Sequence, residues 1–259
     1  NGTDPERLAQ LCLQPVGDEN AFQGAGTIAA FIMEPVLGAG GVILPHSSFM
    51  PGVERICRKN GILLIADEVI TAFGRTGAWT GGRLWGVKPD FACTAKAITN
   101  AYFPFGALMI AEGVAEVFEG DETGKAAIGH GYTYSGHPVG AAAALACLAE
   151  TQRLNVKDNA AARGGEMHAG LLALKEKHSV IGDVRGGHGL MHAVELVSDR
   201  ATKAAPDKAT PGKVQKVAYE NGAMIRVSGP NIILSPPLVL TGEDVQVVLK
   251  ALDAGLSAL

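Results

Sequence analysis

The sequence predicts an α/β protein, a mostly parallel sheet with helices outside it, followed by a smaller α+β unit. Three observations carry this. Apolar runs without alternation, TIAAFIMEPV and ILLIA, have the pattern of strands covered on both faces. Helix-like segments alternate with such runs through the first half. Near Glu150–Lys157 the texture changes to short strand pieces broken by glycine. A partial large domain is therefore expected over 1–152 and a C-terminal small domain over 153–259.

Taken in order, Thr27–Val36 is the first buried strand, and Ser47–Asn60 is a helix closed by Gly61. Ile62–Ala66 is the second strand, ending abruptly at Asp67-Glu68. Asp90–Ala95 and Gly106–Ala111 are further short strands. His137–Thr151 reads as a helix, with Pro138 near its start and the strong helix formers AAAALACLAE inside it. Asn155–His178 is a second, charged and exposed helix. Val180–Val197 holds two strand pieces separated by Gly186, Gly187 and Gly189. Pro211–Asn221 is a helix stopped by Gly222. Ala223–Val227 and Asn231–Leu234 form a hairpin around Ser228–Pro230, and Gly242–Leu259 is a terminal helix.

The composition narrows the function. At 259 residues, 47% hydrophobic and 19% charged, the chain suits a soluble globular protein able to bury a full core. Net charge is −4 with no basic block, which disfavours a nucleic-acid partner. No apolar run reaches the about 20 residues needed to span a bilayer. The opening NGTDPERLAQ has neither the basic nor the apolar region of a signal peptide, and a cytoplasmic location is expected. Cys12, Cys57, Cys93 and Cys147 form no CxxC pair and read as free thiols of a reducing compartment.

Several motifs fail. Gly120–Ala126 (GDETGKA) is one residue short of a P-loop and has Ala where Ser or Thr would ligate a metal. Gly38-Ala39-Gly40-Gly41 is not the dinucleotide fingerprint, which disfavours a dehydrogenase. HExxH, GxSxG and His/Cys metal spacings are absent from the sequence, so no metal site is expected. What remains is three polar residues at the ends of buried strands: Glu34, Asp67 and Lys96. Ligands of open α/β sheets bind beyond the carboxyl ends of strands, so two acids and a lysine there mark a pocket. Singly, each could equally be a turn or surface residue.

Together they say more. ILLIADEVITAFGRTG, DFACTAKAITNAYFPFGALMI and GHGYTYSGHP, in that order, resemble the class III aminotransferases. The likeness extends over nearly the whole chain, including VRGGHGLM and RVSGPNIILSPPLVLT. It implies fold-type I and pyridoxal 5′-phosphate (PLP) as cofactor. It also implies roles. Lys96 matches the Schiff-base lysine and general acid–base, and Asp67 the carboxylate that keeps the cofactor's ring nitrogen protonated. Val69 matches the branched residue packed on the ring. Thr133 matches a hydroxyl that reaches the cofactor phosphate across a dimer interface, helped by the Tyr132 amide. Arg226 matches the movable arginine that pairs with a substrate carboxylate, and Glu34 an acid near the substrate. His137 is read as a helix cap, and Arg75 and Arg185 as structural.

The resemblance therefore implies an ω-aminotransferase, moving an amino group from an amine or ω-amino acid to a 2-oxo acid such as pyruvate by a ping-pong route. A homodimer or higher homo-oligomer is expected, with no membrane association. An aminomutase, a decarboxylase or a non-catalytic remnant of the fold stay open. Ala72 and Ala97 stand where the family commonly has glycine. Members also run longer and carry an earlier glycine-rich phosphate loop and a ring-stacking aromatic. The chain is thus expected to be a piece of a longer enzyme, exposing a sheet edge and an apolar face.

Overall fold

The computed structural model describes residues 28–259. Cys12, Thr27 and the opening decapeptide lie outside the described residues. The chain forms two compact units, and neither is continuous in sequence. The first takes the described residues up to Pro35, with Pro45–Ile70 and Gly81–Ala149. The second takes Val36–Leu44, Thr71–Thr80 and Glu150–Leu259.

The first unit is built on a four-stranded sheet in the order β1 (Ala30–Met33), β2 (Leu63–Asp67), β3 (Phe91–Thr94), β4 (Ala107–Ile110). β1, β2 and β3 run parallel, and β4 returns antiparallel to β3. The expected first strand is thus shorter than predicted, because Glu34 and Pro35 leave the ladder. Helix α1 (Phe49–Asn60) buries Met50, Val53, Ile56 and Cys57, whose three- and four-residue spacing makes one apolar face. It stops at Gly61, which takes a left-handed φ of 66° and donates its N–H to the Cys57 carbonyl. Strand parity sorts the rest. Leu64 joins Met50, Val53, Cys57, Ile62 and Val87 in one core, with Phe31 and Met33 packed against it. The opposite face carries Ile32, Leu63, Ile65, Asp67, Phe91, Cys93 and Leu108, paired across the ladders. Ile32 is 60% exposed and Leu108 55%, so this apolar face is open among the described residues. Three further helices follow: the single turn α2 (Gly81–Leu84), the unanticipated α3 (Glu112–Glu119), and α4 (Pro138–Arg153).

The second unit holds α5 (Val156–Lys177), β5 (Ile181–Arg185), β6 (His192–Leu196), α6 (Thr210–Glu220), β7 (Arg226–Ser228), β8 (Asn231–Leu234) and α7 (Gly242–Ser257). Its sheet is wholly antiparallel, in the order β5-β6-β8-β7. Met167, Leu171, Val194, Leu196, Val214, Ile232, Val245 and Leu252 form its core. Helix α7 starts with a capping box between Thr241 and Asp244.

Helix α5 is not the exposed helix expected. Val156, Ala160, Gly164, Met167 and Leu171 are buried along one side. The buried stripe is made partly of small residues, which is why the sequence read as polar. A Cβ at Gly164 would lie 2.0 Å from the Gly189 carbonyl oxygen, so only glycine lets the helix meet that loop.

Beside this seam His192 is fully buried and its ring stacks on His168, with centroids 5.7 Å apart. Neither ring nitrogen of His192 meets full hydrogen-bond geometry among the described residues, although the Gly164 backbone approaches the ring and favours its protonated form. Burial, and then the neighbouring His168, push the imidazole down from 6.5 to about 4. A folded value below the unfolded one means that the unfolded chain binds the extra proton. The stabilisation is therefore complete above pH 6.5 and is lost as pH falls from 6.5 towards 4. Its size is about 3 kcal/mol, from 1.36 kcal/mol per unit. Urea unfolding at a series of pH values should show this slope in the parent and a flatter one in His192→Met. Equal slopes would remove His192 as the cause.

Candidate active site

The site begins with strand ends. The last register pair of β1 and β2 is Met33 with Ala66, so Glu34 and Asp67 are the next residues on neighbouring parallel chains. Asp67 in turn pairs with Cys93 of β3. Three residues further along that chain comes Lys96. Parallel strands about 4.8 Å apart thus deliver Glu34, Asp67 and Lys96 to one sheet end, in that order. The structure brings together these three sequence-predicted residues, and Val69 stands in the turn after β2.

Asp67 is half-buried. Its Oδ1 accepts the Val69 N–H at 3.1 Å, closing an Asx turn that fixes the carboxylate. Among the described residues its other oxygen has no donor. Its charge reaches Cys93: burial first, and then Asp67, push that thiol up. Glu68, which sequence reasoning passed over, has the opposite task. Adjacent strand residues point to opposite faces, and Glu68 is 1% exposed. Its two oxygens accept the N–H groups of Gly81 (2.8 Å) and Gly82 (2.7 Å), holding the first turn of α2 under the strand end. The signal was present as a second acid beside Asp67 and a Gly-Gly pair.

Lys96 opens a 3-10 turn, Lys96–Ile98, and is exposed. Its backbone is left-handed, with φ 48°, and so is that of Asn100 (47°) and Ala101 (65°). Each such non-glycine residue costs about 1 kcal/mol, and strain of this kind collects at functional sites. Neither Ala72 nor Ala97 has positive φ; the left-handed positions fall on Phe73 and Lys96. Alanine is therefore accommodated at both. Among the described residues the Lys96 amine has no ion-pair partner.

Tyr132 and Thr133 lie in the exposed turn before α4. The Tyr132 N–H donates to Ser135 Oγ at 2.9 Å, so that amide is engaged locally instead of being free for an anion. Thr133 makes no side-chain hydrogen bond among the described residues. His137 caps: its Nδ1 accepts the Val139 N–H at 3.2 Å in the first turn of α4. Arg226 belongs to the second unit, exposed at the start of edge strand β7 opposite Ile233. It too has no ion-pair partner among the described residues.

Arg75 and Arg185 are tied into the second unit. Arg75 donates to the carbonyls of Leu190 (2.8 Å) and Pro236 (2.6 Å), and burial pushes its guanidinium down to about 10. Arg185 donates to Gly41 O at 2.8 Å and pairs with Glu195 and Asp183.

A carboxylate with one free oxygen, an amine on a strained turn and an apolar wall at one sheet end can bind a cationic ring and a carbonyl together. The comparisons with known proteins agree with that chemistry. A family model for class-III aminotransferases matches residues 5–256. The uncharacterized aminotransferase y4uB of Sinorhizobium fredii is 42% identical over 233 residues, which are 87% of this chain and 49% of that protein. The mitochondrial gamma-aminobutyrate transaminase 1 of Oryza sativa subsp. indica is 36% identical over 242 residues, 91% of this chain and 46% of that one. Among solved structures, an amine transaminase from an uncultivated Pseudomonas species in its PLP-bound form is 44% identical with a TM-score of 0.87; 98% of this chain and 58% of that chain are covered. A Bacillus anthracis aminotransferase gives a TM-score of 0.90 at 31% identity, covering 98% and 56%. The chain spans about half the length of the curated relatives it matches.

Proposed function

The chain belongs to the class-III aminotransferases, and from that premise we propose that it serves PLP-dependent transfer of an amino group from an amine or ω-amino acid to a 2-oxo acid such as pyruvate. The observation that carries this is the sheet end: Asp67 with one uncommitted carboxylate oxygen, and Lys96 on a left-handed turn of the adjacent parallel strand. The donor set suits the cofactor. PLP, when bound, supplies an electron sink for the pair left as the substrate loses its Cα proton.

The chain's own residues do the rest. Asp67 would hold the proton on the ring nitrogen, with the Val69 N–H fixing the carboxylate. The Lys96 amine would anchor the cofactor and then carry the proton between substrate Cα and cofactor C4′. Val69 would pack on the ring, and Thr133 would serve the phosphate from a partner subunit in a homodimer; the Tyr132 amide would join it only on releasing Ser135 Oγ. Alternating donor and acceptor at one site gives a ping-pong order. Glu34, next to Asp67 across the β1–β2 pair, borders the substrate. A cytoplasmic location belongs to the same reading and is supported by Cys57, Cys93 and Cys147, which form no disulfide among the described residues. Among the described residues no helix is long and apolar enough to cross a membrane.

Arg226 sets the substrate class. Its guanidinium is exposed and uncommitted among the described residues, as a group that swings onto a carboxylate should be. A charge-assisted pair contributes about 1.5–3 kcal/mol, so Arg226→Met should raise KM for an ω-amino acid and for the 2-oxo acid by about 10- to 100-fold. KM for a primary amine without a carboxylate should stay within about twofold, because that substrate makes no such pair. Steady-state kinetics on 4-aminobutyrate, pyruvate and 1-phenylethylamine separate the cases. Equal losses on all three would give Arg226 a structural role.

A further inference from the structure

We infer that Cys147 is a positioning residue for Lys96, clamping the strained turn that presents the amine. This role presupposes Lys96 as the cofactor lysine. Three left-handed residues within Lys96–Ala101 need outside support to persist. Part of it is local: Thr99 Oγ1 donates to Phe103 O at 2.7 Å, and Thr94 Oγ1 to Ala107 O at 3.0 Å. Those bonds tie the segment to itself and to β4. The Cys147 thiol ties it to a helix. Its Sγ donates to the Ala97 carbonyl at 3.7 Å and accepts from Asn100 Nδ2 at 2.9 Å. One sulfur therefore grips the turn immediately after Lys96 and again at the second left-handed residue.

Helix α4 is a firm base for this grip. Gly140, Ala144 and Cys147 recur at four and three residues and so share one side of the helix. A Cβ at Gly140 would lie 2.7 Å from Phe105 Cδ2 and 2.9 Å from Phe103 Cε1, so the helix is already seated on the loop that follows the turn. Ala144 is buried. Cys147 then meets the turn at a fixed height. A thiol suits this position because it both donates and accepts in an apolar seam.

The test uses Cys147→Ala, Cys147→Ser, Asn100→Gly and Asn100→Asp, with two readouts apart from turnover. One is amide hydrogen exchange of the peptide covering Ala97–Ala101. The other is the share of borohydride-trapped phosphopyridoxyl label found on Lys96, against all other lysines, by peptide mass spectrometry. Cys147→Ala should speed exchange in that peptide at least tenfold and lower the Lys96 share several-fold, with the melting temperature little changed. Asn100→Gly tolerates the left-handed φ and removes the donor but also loosens the backbone, so its effect counts for the clamp only where Asn100→Asp, which tolerates the same φ and lacks the donor without that freedom, acts in the same direction. Cys147→Ser, which keeps a donor and an acceptor, should restore most of both readouts. Parent-like exchange and labelling in both Cys147→Ala and Asn100→Asp would overturn the role. If Cys147→Ala fails to fold, Asn100→Asp, at an exposed position, decides alone. If the parent carries its label elsewhere, the cofactor reading of Lys96 fails, and the exchange data still decide the clamp.

Discussion

Lys96→Ala is expected to lower kcat by about 10³-fold or more, because in the proposed site this one side chain would both anchor the cofactor and move the substrate proton. The structure makes this a clean substitution. The Lys96 side chain is exposed and has no ion-pair partner among the described residues, so its removal breaks no ion pair and opens no core cavity. Alanine at φ 48° carries the same Cβ penalty that lysine already carries. Melting temperature should therefore match the parent while turnover collapses. Added methylamine, a small free amine, should return part of the rate by moving the proton in place of the missing side chain. A variant that keeps more than about a tenth of parent kcat would exclude Lys96 from proton transfer.

Asp67→Asn should cost about 10²- to 10³-fold in kcat, the range for losing one preorganised electrostatic contact. The local fold explains why this isolates the charge. Asparagine keeps an oxygen at the Oδ1 position and can accept the same Val69 N–H, so the Asx turn survives. What is lost is the negative charge that would hold a proton on the cofactor ring. The Cys93 thiol supplies an independent check, since the Asp67 charge is one of the two causes raising it. In Asp67→Asn the thiol should titrate lower, read by its alkylation rate against pH. A fall in kcat without that change would point to displaced geometry, and an unchanged kcat would remove Asp67 from the chemistry.

Much of this site was legible in the sequence because strand ends are. Apolar runs that stop at Glu34 and Asp67, and a third that leads to Lys96, place those residues at one sheet end once the strands pair in parallel. Helix limits marked by Gly61 and Gly222 came within a residue or two. Other features depend on partners distant in sequence. Val36–Leu44 and Thr71–Thr80 join the second unit through Arg185 on Gly41 and Arg75 on Leu190 and Pro236, contacts that no local pattern announces. The buried side of α5 was hidden because Ala160 and Gly164 bury little apolar surface themselves. The direction of β4 could not be read from ALMI, which suits a parallel or an antiparallel neighbour equally. Glu68 was obscured by Asp67: only strand parity shows that neighbouring acids face opposite sides, one to the open face of the sheet and one to the Gly81 and Gly82 amides. The left-handed backbone of Lys96 has no sequence signature, since lysine is not a residue that favours it.

The most direct measurement is to incubate the protein with PLP, reduce with borohydride, digest, and locate the phosphopyridoxyl group by mass spectrometry. Modification of Lys96, with the other lysines at background, is the predicted result. A label on a different lysine, or none on Lys96 at saturating cofactor, would contradict it.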